Sequence, residues 1–467
     1  MRPPPSRLAL HLLVLVLGNP PLAAQTPIGT IISEQSRTTF TVQGAGARAM
    51  GLGGAFIAVA DDASAVSFNP AGLAQLLRPE LSFVGRAISR RVGFEDVALI
   101  SGTKQVVTGD SLISNRRFDP LLLAGTVPLR VAERTLALQL SLQRMLPLTE
   151  GDSRDLTENP VSGGPSNRLH QSIVQKGQID LYTLAIAYEL SQRVLAGFAY
   201  NVWRGNWDLD SRSSKASGPN LSHVNFTQSS HLEGSNLRFG LIWRWPTWSL
   251  GLVHRTAFHA DYSFSTTLDA TGSTPQVTPT ADTGLHWPAT QGIGFAYRPR
   301  EHWLFTADLT HTSWSKARYM TPNRALNGLS FFDLDKGNRT ADATNFHLGG
   351  EHLFVTSTGS VIPFRFGYSR EPQPVVDRLT NQQRILQGLS GGTGWKQGPY
   401  TVDLSYRYAW SNRQASQYLD VDQILSKTPP TSTGHERLQE HRLDLSLILQ
   451  FDRGPVERLL RHLFVGD

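Results

Sequence analysis

Residues 44–77 read GAGARAMGLGGAFIAVADDASAVSFNPAGLAQLL. Glycine and alanine crowd the front half, the Asp61–Asp62 pair follows, and Asn69-Pro70-Ala71-Gly72 comes near the end. So much glycine disfavours a free helix, because glycine gives up more backbone freedom on folding than any other residue. The stretch is also too compact for a linker, so it reads as a segment packed inside something else. The chain that follows reads as repeated β-hairpins, which points to a β-barrel with this segment as its plug. Asp61 or Asp62 can cap a short helical turn over 63–67. Asn69 makes a second cap, with Pro70 at the first helical position, where its missing N–H costs nothing.

The same stretch contains a decoy. Gly44-x-Gly46-x-x-Ala49 fits a loose dinucleotide-binding fingerprint, with Asp61 or Asp62 at a tolerable distance for a ribose contact. That fingerprint carries meaning only between a strand and a helix of a βαβ unit. Antiparallel patterns follow it here, with no alternating helices, so the nucleotide reading is set aside.

Upstream, Arg2 and Arg7 precede an apolar run over 8–17, and Leu22-Ala23-Ala24 stands before a cut at Gln25. This is the pattern of a secretory signal peptide, residues 1–24, whose apolar run is too short to cross a bilayer as a helix. Its removal takes away two of the six net positive charges. No basic cluster with interleaved aromatics follows, so nucleic acid is not an expected partner. The absence of cysteine excludes disulfides, thiolate catalysis and zinc ribbons together. No downstream run of eighteen apolar residues offers a transmembrane helix. An exported chain of this kind is either a soluble all-β protein or an outer-membrane barrel.

From Glu80 onward the signal is strict alternation. Leu443, Leu445, Leu447, Leu449 and Phe451 share one face, opposite Arg442, Asp444, Ser446 and Gln450, with Ile448 the exception. Residues 135–143, 236–245 and 400–410 repeat the pattern. Fourteen such segments can be counted between 80 and 451. They run about ten residues each, a length suited to a tilted membrane-spanning strand. Trp243, Trp245, Trp248, Trp303, Tyr406 and Trp410 gather near segment ends, as an interfacial girdle requires. Short turns are expected near 130, 191, 246, 300, 358 and 397, and long polar links near 160, 215, 275, 330, 378 and 425. Residues 91–118 fit least well, and 94–101 could hold an extra loop strand.

The chain resembles the FadL/TodX family of outer-membrane transport proteins for long-chain fatty acids and other hydrophobic molecules. The resemblance is carried by GARAMGLGGAFIAVADDASAVSFNPAGLA at 46–74, FGLIWRWPTWSLGLVHRTAF at 239–258 and PATQGIGFAYRPREHWLFTADLTHTSWS at 288–315. FHLGGEHLF at 346–354, IPFRFGYSREP at 362–372 and GPYTVDLSYRYAW at 398–410 complete it. It implies an all-β fold: a transmembrane antiparallel barrel of about fourteen strands over residues 80–451, filled by an N-terminal hatch over 25–79. Gly51, Gly53, Gly54, Asn69, Pro70, Ala71 and Gly72 would belong to that hatch. It also implies a monomer in the outer membrane of a Gram-negative-type bacterium, surrounded by outer-membrane lipid. Its partner would be a hydrophobic small molecule, a fatty acid or hydrocarbon, caught in an outer-loop groove and released sideways through a gap in the wall. The family's ligand contacts do not transfer, because the long loops diverge freely. Family barrels usually end on an aromatic residue, here Phe451, yet residues 452–467 follow. Val456, Leu459, Leu460 and Leu463 recur there at helical spacing, which fits an interfacial helix; a frayed tail is the alternative.

No catalytic set, cofactor or metal is implied. His347 and His352, and likewise His254 and His259, are five apart on expected strands and so face opposite sides. No Gly-x-Ser-x-Gly elbow occurs, and the chain does not read as an enzyme. Arg238, Arg244, Asp308, Arg365, Asp403, Arg407, Arg442 and Asp444 would point into the lumen. They can hydrogen-bond the hatch and one another, as polar lumens do, or one Arg can meet a ligand carboxylate. A second functional class stays open: related PorV-type barrels share the Gly-rich and Asn-Pro-Ala-Gly marks and serve protein secretion as shuttles or interaction partners.

Overall fold

The structure is a computed structural model that describes residues 44–95, 98–101, 104–107, 111–160, 166–320, 327–328, 340–377, 380–416, 433–452 and 454. The signal peptide expected at 1–24, the first part of the expected hatch and the tail from 455 onward lie outside these residues.

Fourteen antiparallel wall strands follow in chain order. They are β1 (Glu80–Glu95), β2 (Ser111–Val131), β3 (Arg134–Pro147), β4 (Asn167–Ser191), β5 (Val194–Ser217) and β6 (Asn220–Arg244). Next come β7 (Trp248–Arg255, continued as Phe258–Ala270), β8 (Gln276–Trp287, continued as Thr290–Arg300) and β9 (Trp303–Thr312, continued as Arg318–Met320). The last five are β10 (Ala343–Val355), β11 (Val361–Val376), β12 (Gln383–Gln397), β13 (Tyr400–Ser416) and β14 (Thr433–Gln450). Each pairs with its neighbours, and β1 pairs with β14 from Glu80↔Gln450 to Glu95↔His435, which closes the barrel. An even strand number returns the chain to its starting rim, where the short turns also lie. All fourteen segments expected from alternation are strands.

Which face is apolar decides the solvent. On β14, Leu443, Leu445 and Leu447 are exposed, while Arg442, Asp444 and Ser446 are buried. On β3, Leu140 and Leu142 are exposed, and Gln139 and Gln143 are buried. A water-soluble sandwich hides its leucines, whereas a barrel in lipid turns them outward and keeps its polar groups inside. Ile448 is the inward-facing exception that the alternation marked. Trp243, Trp245 and Trp248 stack at the short-turn rim with centroids 4.8 and 3.6 Å apart, where an interfacial girdle belongs.

Several expected long links are strands instead. β4 and β6 are each 25 residues long, and β5 meets β6 through Gly218-Pro219 alone. Only residues 271–275 separate β7 from β8, and Glu150–Pro160 pairs back on β4. Polar sequence misleads at these places because a hairpin beyond the apolar belt satisfies its backbone in the same ladder without an apolar outer face. The doubtful region 91–118 contains one more short hairpin, Ala98–Ser101 with Lys104–Val107.

Candidate functional site

The lumen is filled by residues 44–76. A short α-helix, α1 (Ala47–Gly51), lies there, followed by 3₁₀ turns at Ala63–Ser67 and Pro70–Gln75 that form because their caps are present. Asp62 accepts from Ser64 N, and Asn69 accepts from Ala71 N with Pro70 at the first position. The segment hydrogen-bonds the wall all round. Ala47 N donates to Ser446 Oγ at 2.7 Å, Gln139 Nε2 to Ala63 O at 2.8 Å and Ser249 Oγ to Ala58 O at 2.8 Å. The N–H groups of Phe56 and Ile57 both donate to Asp308 Oδ2, at 2.6 and 2.8 Å.

The seven residues singled out in sequence lie in this segment. Ser390 Oγ bridges Gly51 O and Gly53 N, and His347 Nδ1 lies 2.6 Å from Gly53 O. Gly53 and Gly54 have φ of +69° and +90°, the left-handed region that glycine enters freely. Gly72 allows a close approach: a Cβ there would fall 1.9 Å from Ala60 O. Asn69 Nδ2 reaches Ile57 O at 3.0 Å, Leu241 O at 3.2 Å and Leu252 O at 3.3 Å, which ties the segment to β6 and β7. Pro70 and Ala71 press on Gly197 of β5.

Most inward charges neutralise each other or bind the plug. Arg365 reaches Glu351 and Asp403, each at 2.6 Å, and Arg48 of α1 adds a two-pronged pair to Glu351 at 3.0 Å. Arg407 pairs with Glu371, Arg86 with Asp444 and Arg442 with Glu440. Arg244 keeps the inward parity of its cross-strand partner Ser249 but sits at the short-turn rim, 31% exposed, beside Glu189. Among the described residues, two buried arginines, Arg238 and Arg255, have no carboxylate partner. Arg238 donates to Val66 O, and Arg255 Nη2 donates to Thr290 Oγ1 at 2.7 Å.

Above the plug the inner face turns aromatic. On β5, Phe198, Tyr200 and Val202 face outward, whereas farther along Trp203, Trp207 and Leu209 face inward and Arg204, Asn206 and Asp208 face out. The apolar phase inverts within one continuous strand. Trp203 stands 5.2 Å from Phe258 and 5.3 Å from Trp287, Trp287 is 5.6 Å from Trp314, and Trp207 is 5.7 Å from Tyr262. This inner aromatic column went unnoticed in the sequence. The inversion of phase at residues 202–203 was the signal that could have found it.

At the foot of the column the wall itself is broken. β7 is interrupted at Thr256-Ala257, β8 at Pro288-Ala289 and β9 at residues 313–317, and the breaks are laterally aligned: Arg255 pairs with Thr290, and Thr290 with Thr312. Pro288 cannot donate to a ladder, and β7 carries one extra residue against β6. That bulge reverses the parity, so His254 and His259 share the outer face, contrary to expectation. His347 and His352 do face opposite ways, the one into the lumen and the other against Trp303. No group of described residues is placed to hold a metal ion.

A cavity of about 100 Å³ opens beside this break, lined by Ile57 and Phe68 of the plug and by Arg238, Arg255, Thr290 and Trp314. A groove of about 630 Å³ lies on the outer side of the same wall, between Phe239, Leu252 and Ile293. Val253 and Thr310 line both, so the single strand layer is what separates them.

Comparison with known proteins agrees with this architecture. A family model described as an uncharacterised protein family, UPF0164, matches residues 26–119. No curated protein matches the sequence. Among solved structures, a Pseudomonas aeruginosa FadL homologue superposes with a TM-score of 0.63 at 12% identity, covering 89% of this chain and 100% of that one. The P. putida toluene transporter TodX gives 0.58 at 12% identity, covering 88% and 99%. The CymD monoaromatic hydrocarbon channel gives 0.53 at 16% identity, also covering 88% and 99%. With fourteen strands closed by β1 on β14 and whole-length correspondence to these structures, the chain is a barrel of the FadL/TodX fold.

Proposed function

We propose that this protein is a passive outer-membrane channel for hydrophobic molecules, long-chain fatty acids or hydrocarbons, in which residues 25–79 act as a hatch. The signal peptide at 1–24 exports the chain, and the tail at 452–467 stays on the periplasmic side. The observation that carries this reading is the inward aromatic column above the plug. An apolar solute gains nothing in a polar, water-filled lumen, but it is transferred favourably onto buried aromatic surface. The fold relatives, a FadL homologue, a toluene transporter and a monoaromatic hydrocarbon channel, support the same reading. The solute descends the column, meets the plug at the small cavity and leaves sideways where β7, β8 and β9 are interrupted. The outer groove against Val253 and Thr310 receives it.

The test is uptake by purified protein in liposomes, with a long-chain fatty acid, toluene and a small sugar as solutes. Intact protein is expected to pass the apolar solutes and hold back the sugar. A variant lacking residues 25–79 should leak the sugar, and Trp203→Ala with Trp287→Ala should slow apolar uptake several-fold. If intact protein moves no apolar solute, transport is wrong and a secretion partner becomes the object of search.

A further inference from the structure

We propose that the outer faces of β14, β1 and β2 form a docking site for a phosphorylated glycolipid of the outer leaflet. Arg91 and Arg116 hold its phosphates, and Phe118 and Leu443 meet its acyl chains. The site is independent of what passes through the lumen and rests only on the placement of the barrel in an outer membrane, short turns on the periplasmic side. Arg91 and Arg116 are both exposed on the outer face. Arg91 pairs with Ser114 of β2, and Arg116 pairs with Ser89 of β1. The two arginines are therefore diagonal neighbours on adjacent strands, about 7–8 Å apart. Exposed Arg437, opposite Gly93, continues the same diagonal onto β14. Two residues nearer the short turns than Ser89, Ala87 stands between Phe118 and Leu443, which are 64% and 44% exposed. The charged row begins where the apolar belt ends.

Charge is sorted differently here from elsewhere on the wall. Of the carboxylates on these three strands, Glu80, Asp119, Glu436, Glu440 and Asp444 are buried, and Glu95 comes four residues beyond Arg91 at the end of β1. Among the described residues no ion pair reaches Arg91 or Arg116. On β5, by contrast, outward Arg204 is met by Glu233 of β6 at 3.6 Å. Neighbouring arginines without an acid repel each other and draw an anion from their surroundings. Phosphate suits them, because it takes parallel charge-assisted hydrogen bonds from a guanidinium fork. Aromatic rings flank the patch on β13 and β14. Tyr406 Oη lies 2.7 Å from His441 Nδ1, and the Tyr408 ring is 5.1 Å from His441 and 5.7 Å from Trp410. Such rings belong at headgroup depth, with one end apolar and the other wet. Two arginines side by side match two phosphates on one sugar headgroup better than the single phosphodiester of a glycerophospholipid.

Native mass spectrometry of the full-length barrel in uncharged detergent reads the site. The probes are bisphosphorylated lipid A, its dephosphorylated form and phosphatidylglycerol. Wild-type protein should bind lipid A roughly tenfold to a hundredfold more tightly than the dephosphorylated form, the range for charge-assisted bonds. Arg91→Gln combined with Arg116→Gln should remove most of that preference, the corresponding double Lys variant keeps part of it, and Arg204→Gln leaves it unchanged. Equal wild-type affinities for the two forms, or a preference that survives the double Gln variant, would overturn the site. Phosphatidylglycerol bound as tightly as lipid A would overturn the glycolipid as its occupant. Each of these results leaves the channel reading standing, since apolar uptake is measured apart from them. Failure of the wild-type barrel to insert into liposomes would instead sink the membrane placement, and the site with it. If the double Gln variant does not fold, the wild-type comparison of the three lipids decides alone.

Discussion

Glu351 shows how much a single lumenal residue can carry. Its carboxylate, 3% exposed, accepts from Arg365 of the neighbouring strand and from Arg48 of the plug, so wall and plug share one anion. Breaking a buried pair by removing one partner leaves the other charge uncompensated, at about 3–5 kcal/mol. Glu351→Gln is therefore expected to lower the temperature at which the barrel loses its compact mobility in SDS gels. Asp61, 27% exposed and also bound to Arg48, is the control. Its replacement by Asn should cost about 0–1 kcal/mol, as for a solvated pair. Equal shifts for the two variants would show that burial is not what gives Glu351 its weight. Such charges could be assigned to the inner face from parity alone. Their partners could not, because Glu351 meets Arg48 only after the plug has entered the barrel.

Among the elements, plug and wall fit through small residues. Wall glycines such as Gly197 and Gly367 lie under plug backbone, and a Cβ on Gly197 would come within 2.3 Å of Ala71 N. Backbone cannot step aside as a flexible side chain can. Gly197→Val should leave a folded, SDS-resistant barrel with a displaced plug, seen as increased leakage of small sugars from liposomes. An unchanged leak would mean that the plug is not seated on β5. The aligned interruptions of β7, β8 and β9 make a second test. Gly292 sits in the strand layer between cavity and groove, where a Cβ would lie 2.8 Å from Ile57 Cδ1 and 2.8 Å from Val253 Cγ1. Gly292→Val thickens that layer and should reduce fatty-acid uptake several-fold with little change in sugar exclusion. Unimpaired uptake would place the exit elsewhere. The glycine-rich stretch was legible as a packed plug from composition. The glycines that receive it were not, since parity and register decide which of them face inward.

At the scale of the whole molecule the protein is inside out. Leucines of β14 face outward and its Arg442 and Asp444 face the lumen, an arrangement that suits a bilayer rather than water. Leu445→Arg on that lipid-facing side is expected to cost about 2–4 kcal/mol near the bilayer midplane, measured by urea titration of folding into liposomes. A cost near zero would put Leu445 outside the membrane belt. By itself the sequence determined the number of strands, their apolar phase, the rim of short turns and the packed character of residues 44–76. These follow from local geometry, because side chains alternate along a strand and caps act within three residues. The tertiary structure alone decided how far the strands rise, where three of them break together, and which arginines go without a carboxylate. Those depend on pairings such as Arg86 with Asp444, 358 residues apart, whose register no local pattern encodes. Charge neutralisation is a property of what closes beside a residue, and in a barrel that is settled only when the last strand meets the first.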